Sequence, residues 1–196
     1  MFITEDDIRL MEQRHGWPKR LRFGPQPMLD FEYGLLIGSM KDGRRHDATM
    51  FIGLDGGWVC IQKPSYAGTG IFRAPSGGLK PGETIEEGLR REMREETGLE
   101  VAIERFLLVV GVEFIGPDGG RQPWTSYVFS GRAAGGALEI QDRREISGLR
   151  VVSREEMLGP VAAEMEASGW GGFLYRARLT REAFAAMDEA AAAANR

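Results

Sequence analysis

The sequence predicts an α/β fold, a sandwich with helices on both sides of a mixed sheet. Three observations predict it. Short apolar runs rich in Val, Ile and Phe recur between turns rich in Gly, Pro and Asp, as strands do. One charged segment carries both a helix start signal and a helix stop signal. Helical patterns also stand at both ends of the strand-rich region, so helices are available for both faces of a sheet.

The elements follow in order. Residues 3–14 read as an amphipathic helix capped by Thr4. The stretch 16–33, with "GWPKR" and "GPQPM", reads as an irregular arm. "KDGRRHD" at 41–47 is a turn whose basic residues could reach phosphates, though most such runs are solvated. Runs 48–54 and 57–63 flank "DGG" and predict a hairpin. Residues 70–75 predict a short strand that ends at a proline. A helix is predicted over 85–97. The runs "EVAIERFLLVVGVEF" and "PWTSYVFSGRA" predict two strands around the turn "GPDGG", and "GLRVVS" predicts another. Ser153 and Glu156 have capping-box spacing, so a helix starts at 154 and Pro160 interrupts it. Thr180 opens a last, Ala-rich helix. No repeat or long linker divides the chain, so residues 1–196 read as one domain. Residues 1–45 form a helix and arm, and 154–196 form a helical C-terminal region.

Composition narrows the function. At 196 residues, 42% apolar and 28% charged, the chain can bury a full core without staples. A net charge of −4 argues against a nucleic-acid partner or an anionic membrane surface. One cysteine, Cys60, permits no internal disulfide, and with only two histidines most Cys/His zinc sites are excluded. Cys60 lies in an apolar run and reads as a buried strand residue, and neither His15 nor His46 has a partner at ligand spacing. The N-terminus lacks a basic start followed by an apolar run, and the run 106–112 is too short to span a bilayer. These points predict a cytoplasmic protein with no membrane partner.

The chemistry concentrates in "GGLKPGETIEEGLRREMREETGL", residues 77–99. Thr84 and Glu87 form a capping box, and Gly98 is a natural helix stop. Ile85, Leu89 and Met93 make an apolar stripe at helical spacing. Glu92, Glu95 and Glu96 cover an arc of about 100° that overlaps the edge of that stripe, while Arg90 and Arg94 point away. Like charges at these spacings cost roughly 0.2–0.5 kcal/mol per pair even when exposed. A bound divalent cation resolves the conflict, and Mg²⁺ takes carboxylates together with substrate phosphates. The glycine-rich entry lets backbone approach a ligand at a helix N-terminus.

This stretch resembles the signature of the Nudix hydrolase family. Gly77, Glu83, Arg91, Glu92, Met93, Glu95, Glu96, Gly98 and Leu99 fill its nine fixed positions. The resemblance covers about an eighth of the chain. It implies a Nudix-type α/β/α sandwich and hydrolysis of a diphosphate linkage in a small molecule, usually a nucleoside diphosphate derivative. It also implies Mg²⁺, with Mn²⁺ as a substitute, and is compatible with a homodimer.

By the same resemblance Glu92, Glu95 and Glu96 are metal ligands, with Arg91 and Glu83 orienting them. Gly77, Gly78, Arg73 and Lys80 stand where a substrate phosphate would lie. Lys80 departs from the acidic residue many members carry there. A further carboxylate is expected from the loop that holds Glu139, Asp142 and Glu145. Glu145 is the choice for a shared metal ligand and catalytic group, with the general base left between it and Glu92. Phe114, Trp124 and Tyr127 flank a loop where rings offer a base-stacking surface, though alternating aromatics also build cores. A catalytically silent module that senses a nucleotide is the alternative, and such modules often lose the glutamates that this chain keeps.

Overall fold

The computed structural model describes residues 3–194. Eight strands form one sheet in the order β1 (Lys19–Arg22), β6 (Leu99–Ile115), β7 (Arg121–Gly136), β3 (His46–Leu54), β4 (Gly57–Gln62) and β8 (Gly148–Val152). Two short strands pair off this path: β2 (Gln26–Pro27) on β6, and β5 (Ser76–Gly77) on β3. The sheet is mixed. β3 runs parallel to β7, and β1 and β2 run parallel to β6, while β3–β4, β3–β5, β4–β8 and β6–β7 are antiparallel.

Alternation along the strands builds two cores. Met50, Ile52 and Val59 face one side, where they meet Ile85, Leu89 and Met93 of α3 (Ile85–Thr97) and Ile8 and Met11 of α1 (Glu5–His15). Phe51 and Cys60 face the other side, against Phe173, Ala177 and Phe184 of α6 (Gly171–Ala194). Helices therefore cover both faces, as the sequence predicts. No helix among the described residues is long and apolar enough to cross a membrane.

Local signals hold where they are strong. Thr4 caps α1 and Thr84 caps α3, each in a capping box. Asp55 and Gly56 both take positive φ and close the β3–β4 hairpin. Pro160 sits in a π-helical segment, Met157–Val161, between two short helices, α4 (Arg154–Glu156) and α5 (Ala162–Ala167).

Three expectations need correction. The arm over 16–33 is not irregular. It adds β1 and β2 to the free edge of β6 and then starts α2 (Asp30–Ser39). Its hydrogen-bond partners are remote in sequence, so no local pattern marks it. The strand expected over 70–75 reduces to a bridge in which Arg73 and Ile61 exchange both backbone hydrogen bonds, 2.8 and 3.0 Å long. The last helix begins at Gly171 rather than Thr180, whose hydroxyl donates to the Arg176 carbonyl inside the helix at 2.9 Å.

Candidate active site

Helix α3 presents the glutamates. Its stripe of Ile85, Leu89 and Met93 is at most 1% exposed, which fixes the rotation of the helix on the sheet. That rotation turns Glu92 and Glu96 toward β5. Arg91 is the hub of the exposed edge. Its guanidinium grips Glu83 with two hydrogen bonds of 2.6 and 2.8 Å and donates to Glu92 and Glu95 at 2.8 and 2.9 Å. It also donates to the Gly78 carbonyl at 3.1 Å. One side chain thus ties the helix to the glycine-rich loop, with the bidentate geometry that favours arginine.

Glu92 lies against Gly77 so closely that a Cβ there would occupy its carboxylate, and a Cβ at Gly78 would occupy the Arg44 guanidinium. Both glycines are required for close approach. Glu92 holds its proton more tightly than an ordinary carboxyl: burial pushes its pKa up, Arg91 opposes the shift, and Glu96 and Glu95 add to it. Glu96 is buried, accepting from the Ser76 amide at 2.8 Å through Oε2. Its Oε1 stands 2.8 Å from Lys63 Nζ, an ion pair rather than an aligned hydrogen bond. Among the described residues no three His, Cys, Asp or Glu side chains are already gathered around one point. The protein's own cations, Arg91 and Lys63, hold the glutamates instead.

Glu92 borders a cleft of about 430 Å³. Lys63, Arg44, Arg73, Gly77, Gly78 and Glu92 line its polar end. Arg44 donates to the Ser39 and His46 carbonyls and lies 5.5 Å from the Trp124 ring centre. Burial lowers its pKa, and Asp47 and Glu92 counter this. Arg73 donates to the Ala74 carbonyl and to Ser76 Oγ. Burial opposes the Arg73 charge too, but Tyr66, Glu96 and Asp47 outweigh it and raise the pKa. Neither arginine forms an ion pair with a carboxylate among the described residues. Arg176 is different. It pairs with the buried Asp47 at 2.5 Å and donates to Thr49 Oγ1 at 2.7 Å.

The far end of the cleft is apolar. Leu35 and Leu36 of α2 face Trp170, Phe173 and Phe114 across it. Helix α2 is joined to α6 by Glu32, which is 4% exposed and accepts from the Gly171 and Gly172 amides at 3.0 and 2.9 Å.

The structure brings Arg73, Gly77, Gly78, Glu92 and Glu96 together. Glu95 is half exposed and does not line the cleft. Lys80 is exposed, with Nζ 3.9 Å from Glu95, and does not line the cleft. Glu145 is exposed and also lies outside the lining. Its loop runs close by: the Glu139 amide donates to the Thr97 carbonyl beside Glu96, and the Ser147 amide donates to the Gln62 carbonyl beside Lys63. Of the three aromatic residues expected together, Phe114 and Trp124 reach the cleft. Tyr127 does not, because its odd register on β7 turns it to the opposite core with Phe106. Sequence reasoning missed Lys63, Arg44, Tyr66 and Arg176. Arg44 lay in the basic turn and Lys63 at the end of the run 57–63, but neither was singled out as a site residue.

A family model described as NUDIX domain matches residues 44–169. The chain is 36% identical over 92 residues to the human 8-oxo-dGDP phosphatase NUDT18, a match covering 47% of this chain and 26% of that protein. It is 32% identical over 93 residues to the human NAD-capped RNA hydrolase NUDT12, covering 45% of this chain and 18% of that protein. The matches thus span about a quarter or less of these relatives. Among solved structures, a mutator MutT protein from Bacillus halodurans is similar with a TM-score of 0.47 and 22% identity, over 59% of this chain and 72% of that one.

Proposed function

Because the chain belongs to the NUDIX domain family, we propose that it hydrolyses the diphosphate linkage of a nucleoside diphosphate derivative, using Mg²⁺ or Mn²⁺ held by Glu92, Glu95 and Glu96. The observation that carries this reading is Glu92 lining an arginine- and lysine-lined cleft at Gly77 and Gly78, with Glu96 held against two of its lining residues, Ser76 and Lys63. The names of the two relatives, an 8-oxo-dGDP phosphatase and an NAD-capped RNA hydrolase, support a nucleotide substrate.

The residues fit a hard cation. Their donors are carboxylate oxygens, which suit Mg²⁺ and Mn²⁺. Burial and like charges hold the Glu92 pKa up despite Arg91, and the direct ion-pair partner of the buried Glu96 is Lys63. When bound, the ion would neutralise phosphate charge and make a coordinated water more acidic.

The chain's own groups do the rest. Arg91, anchored by Glu83, holds Glu92 and Glu95 in place by direct hydrogen bonds. Arg44 and Arg73, without carboxylate partners, take phosphate oxygens by charge-assisted hydrogen bonds. Gly77 and Gly78, lacking a Cβ, let Glu92 and Arg44 pack onto the loop that faces the diphosphate. Glu145, on its nearby loop, would share the metal or its bound water, and either it or Glu92 takes the proton of the attacking water. Trp170, Leu35 and Leu36 flank the nucleoside half by apolar contact. Residues 1–45 and 154–196 belong to the same catalytic unit, because both supply this wall.

A product-release assay tests the reading. The panel comprises ADP-ribose, nucleotide sugars, dinucleoside polyphosphates and oxidised nucleotides, each with Mg²⁺, with Mn²⁺ and with a chelator. Turnover of at least one compound, abolished by the chelator, is expected. Binding without turnover under either metal would instead identify a nucleotide-sensing module.

A further inference from the structure

We propose that Lys63 is a resident counter-cation of the metal site. It neutralises Glu96 until the divalent ion arrives, then moves its charge to a substrate phosphate. The inference rests on the assignment of Glu96 as a metal ligand.

Glu96 is 1% exposed, so its charge requires a partner inside the protein. One oxygen has the Ser76 amide. Among the described residues the other is in direct contact with one cation, the Lys63 ammonium 2.8 Å away. Lys63 follows the last residue of β4 and lies outside the glutamate helix and its loop. Its side chain is 32% exposed and lines the same cleft as Arg44, Arg73 and Glu92. The ammonium therefore stands between a buried ligand carboxylate and the space a phosphate would fill.

A divalent ion and an ammonium repel each other, so both cannot keep close contact with one carboxylate oxygen. Metal binding at Glu96 is thus an exchange: Lys63 leaves as the ion arrives. Lysine suits this, being a compact charge on a flexible four-carbon stem. The open side of the cleft already holds Arg44 and Arg73, so the displaced ammonium meets like charge there until an anion fills the space. A diphosphate removes that penalty. Metal and diphosphate consequently bind with positive coupling, and each raises the affinity for the other by the same factor. A lysine that merely braced the fold would produce no such coupling.

The test titrates the full chain with Mn²⁺, followed by the paramagnetic resonance of free Mn²⁺, without phosphate and with α,β-methylene-ADP as a non-hydrolysed diphosphate. Lys63→Met is expected to bind Mn²⁺ alone about 5-fold or more tightly than wild type, since couplings of this kind span roughly 5- to 150-fold. Its metal-free melting temperature should fall, because Glu96 loses its counter-charge. α,β-Methylene-ADP should raise the Mn²⁺ affinity of wild type more than that of the variant. Lys63→Arg guards against a variant that does not fold. Its planar fork grips Glu96 more firmly, so Mn²⁺ alone should bind more weakly than to wild type. Unchanged Mn²⁺ affinity in the variants would overturn the inference while leaving the hydrolase reading intact. A wild-type protein that hydrolyses no diphosphate and binds no Mn²⁺ would remove both.

Discussion

At the scale of single residues, Glu96 divides its two oxygens between the backbone and a cation. Its Oε2 is fixed by the Ser76 amide, which places β5 against α3, and its Oε1 faces a cation. Glu96→Gln keeps an oxygen for the amide and removes the charge. Turnover at saturating substrate should fall by roughly 10²-fold or more, since metal charge stabilisation contributes several kcal/mol. Circular dichroism should show the fold retained. Near wild-type rates would remove Glu96 from the metal ligands. Glu145 is tested differently, because its exposed position leaves the fold indifferent to it. Glu145→Gln should lower kcat more than it raises KM, the signature of an interaction made in the transition state. If Glu145→Gln is unimpaired and Glu139→Gln or Asp142→Asn is crippled, the role belongs to that neighbour. The signature glutamates were legible in the sequence because their spacing on one helix fixes their face. Lys63 and Arg44 were not. A single cation at a strand end or in a turn has no periodicity to reveal where it points.

At the scale of elements, α3 and α6 differ in how their ends are made. Helix α3 carries its own cap, Thr84 with Glu87, and its own stop, Gly98 at φ 77°. Helix α6 begins with two glycines, and its first amides are satisfied by Glu32 from α2, 139 residues away for Gly171. The same carboxylate accepts from the Leu29 amide at 3.0 Å and starts α2. One side chain therefore caps two helices, with a negative charge at an N-terminus where the helix dipole favours it. Glu32→Ala leaves three amides without their acceptor. It should destabilise the protein by about 1–3 kcal/mol, the cost of buried donors left unpaired. Because α2 walls the apolar end of the cleft, KM for a nucleotide substrate should rise as well. Thermal melts and hydrogen exchange over 28–39 check both effects. Unchanged protection of that segment would show that other contacts hold α2. The sequence could not show this cap, since neither "GPQPM" nor "GWGG" contains its own helix signal.

At the scale of the whole molecule, Asp47 joins the sheet, the cleft and α6. Buried at the start of β3, it accepts from Trp124 Nε1 at 2.9 Å and from the Ser126 hydroxyl, and it pairs with Arg176 of α6. Tyr175 extends the chain, donating to Ser126 Oγ at 2.7 Å. Burial opposes the Asp47 charge. Arg176 together with the Ser126 and Trp124 donors outweighs it and holds the carboxyl below its ordinary value of 3.8. A folded-state value below the unfolded one means stability that is fully present above the unfolded pKa and lost as pH falls through the folded one. Asp47→Asn should therefore be less stable than wild type near pH 7, and the gap should narrow as pH drops below about 4. Urea unfolding at both pH values reads this gap, and a constant gap would show that the network's strength does not come from the Asp47 charge. The sequence by itself determined the glutamate helix, the hairpins and the two-faced strands, because each depends on hydrogen bonds or periodicities that repeat within a few residues. Only the tertiary structure decided what stands across from the glutamates. Lys63, Arg44, the Asp47–Arg176 pair and the Glu32 cap are brought together by strand order and helix packing, over separations that leave no local trace in the chain.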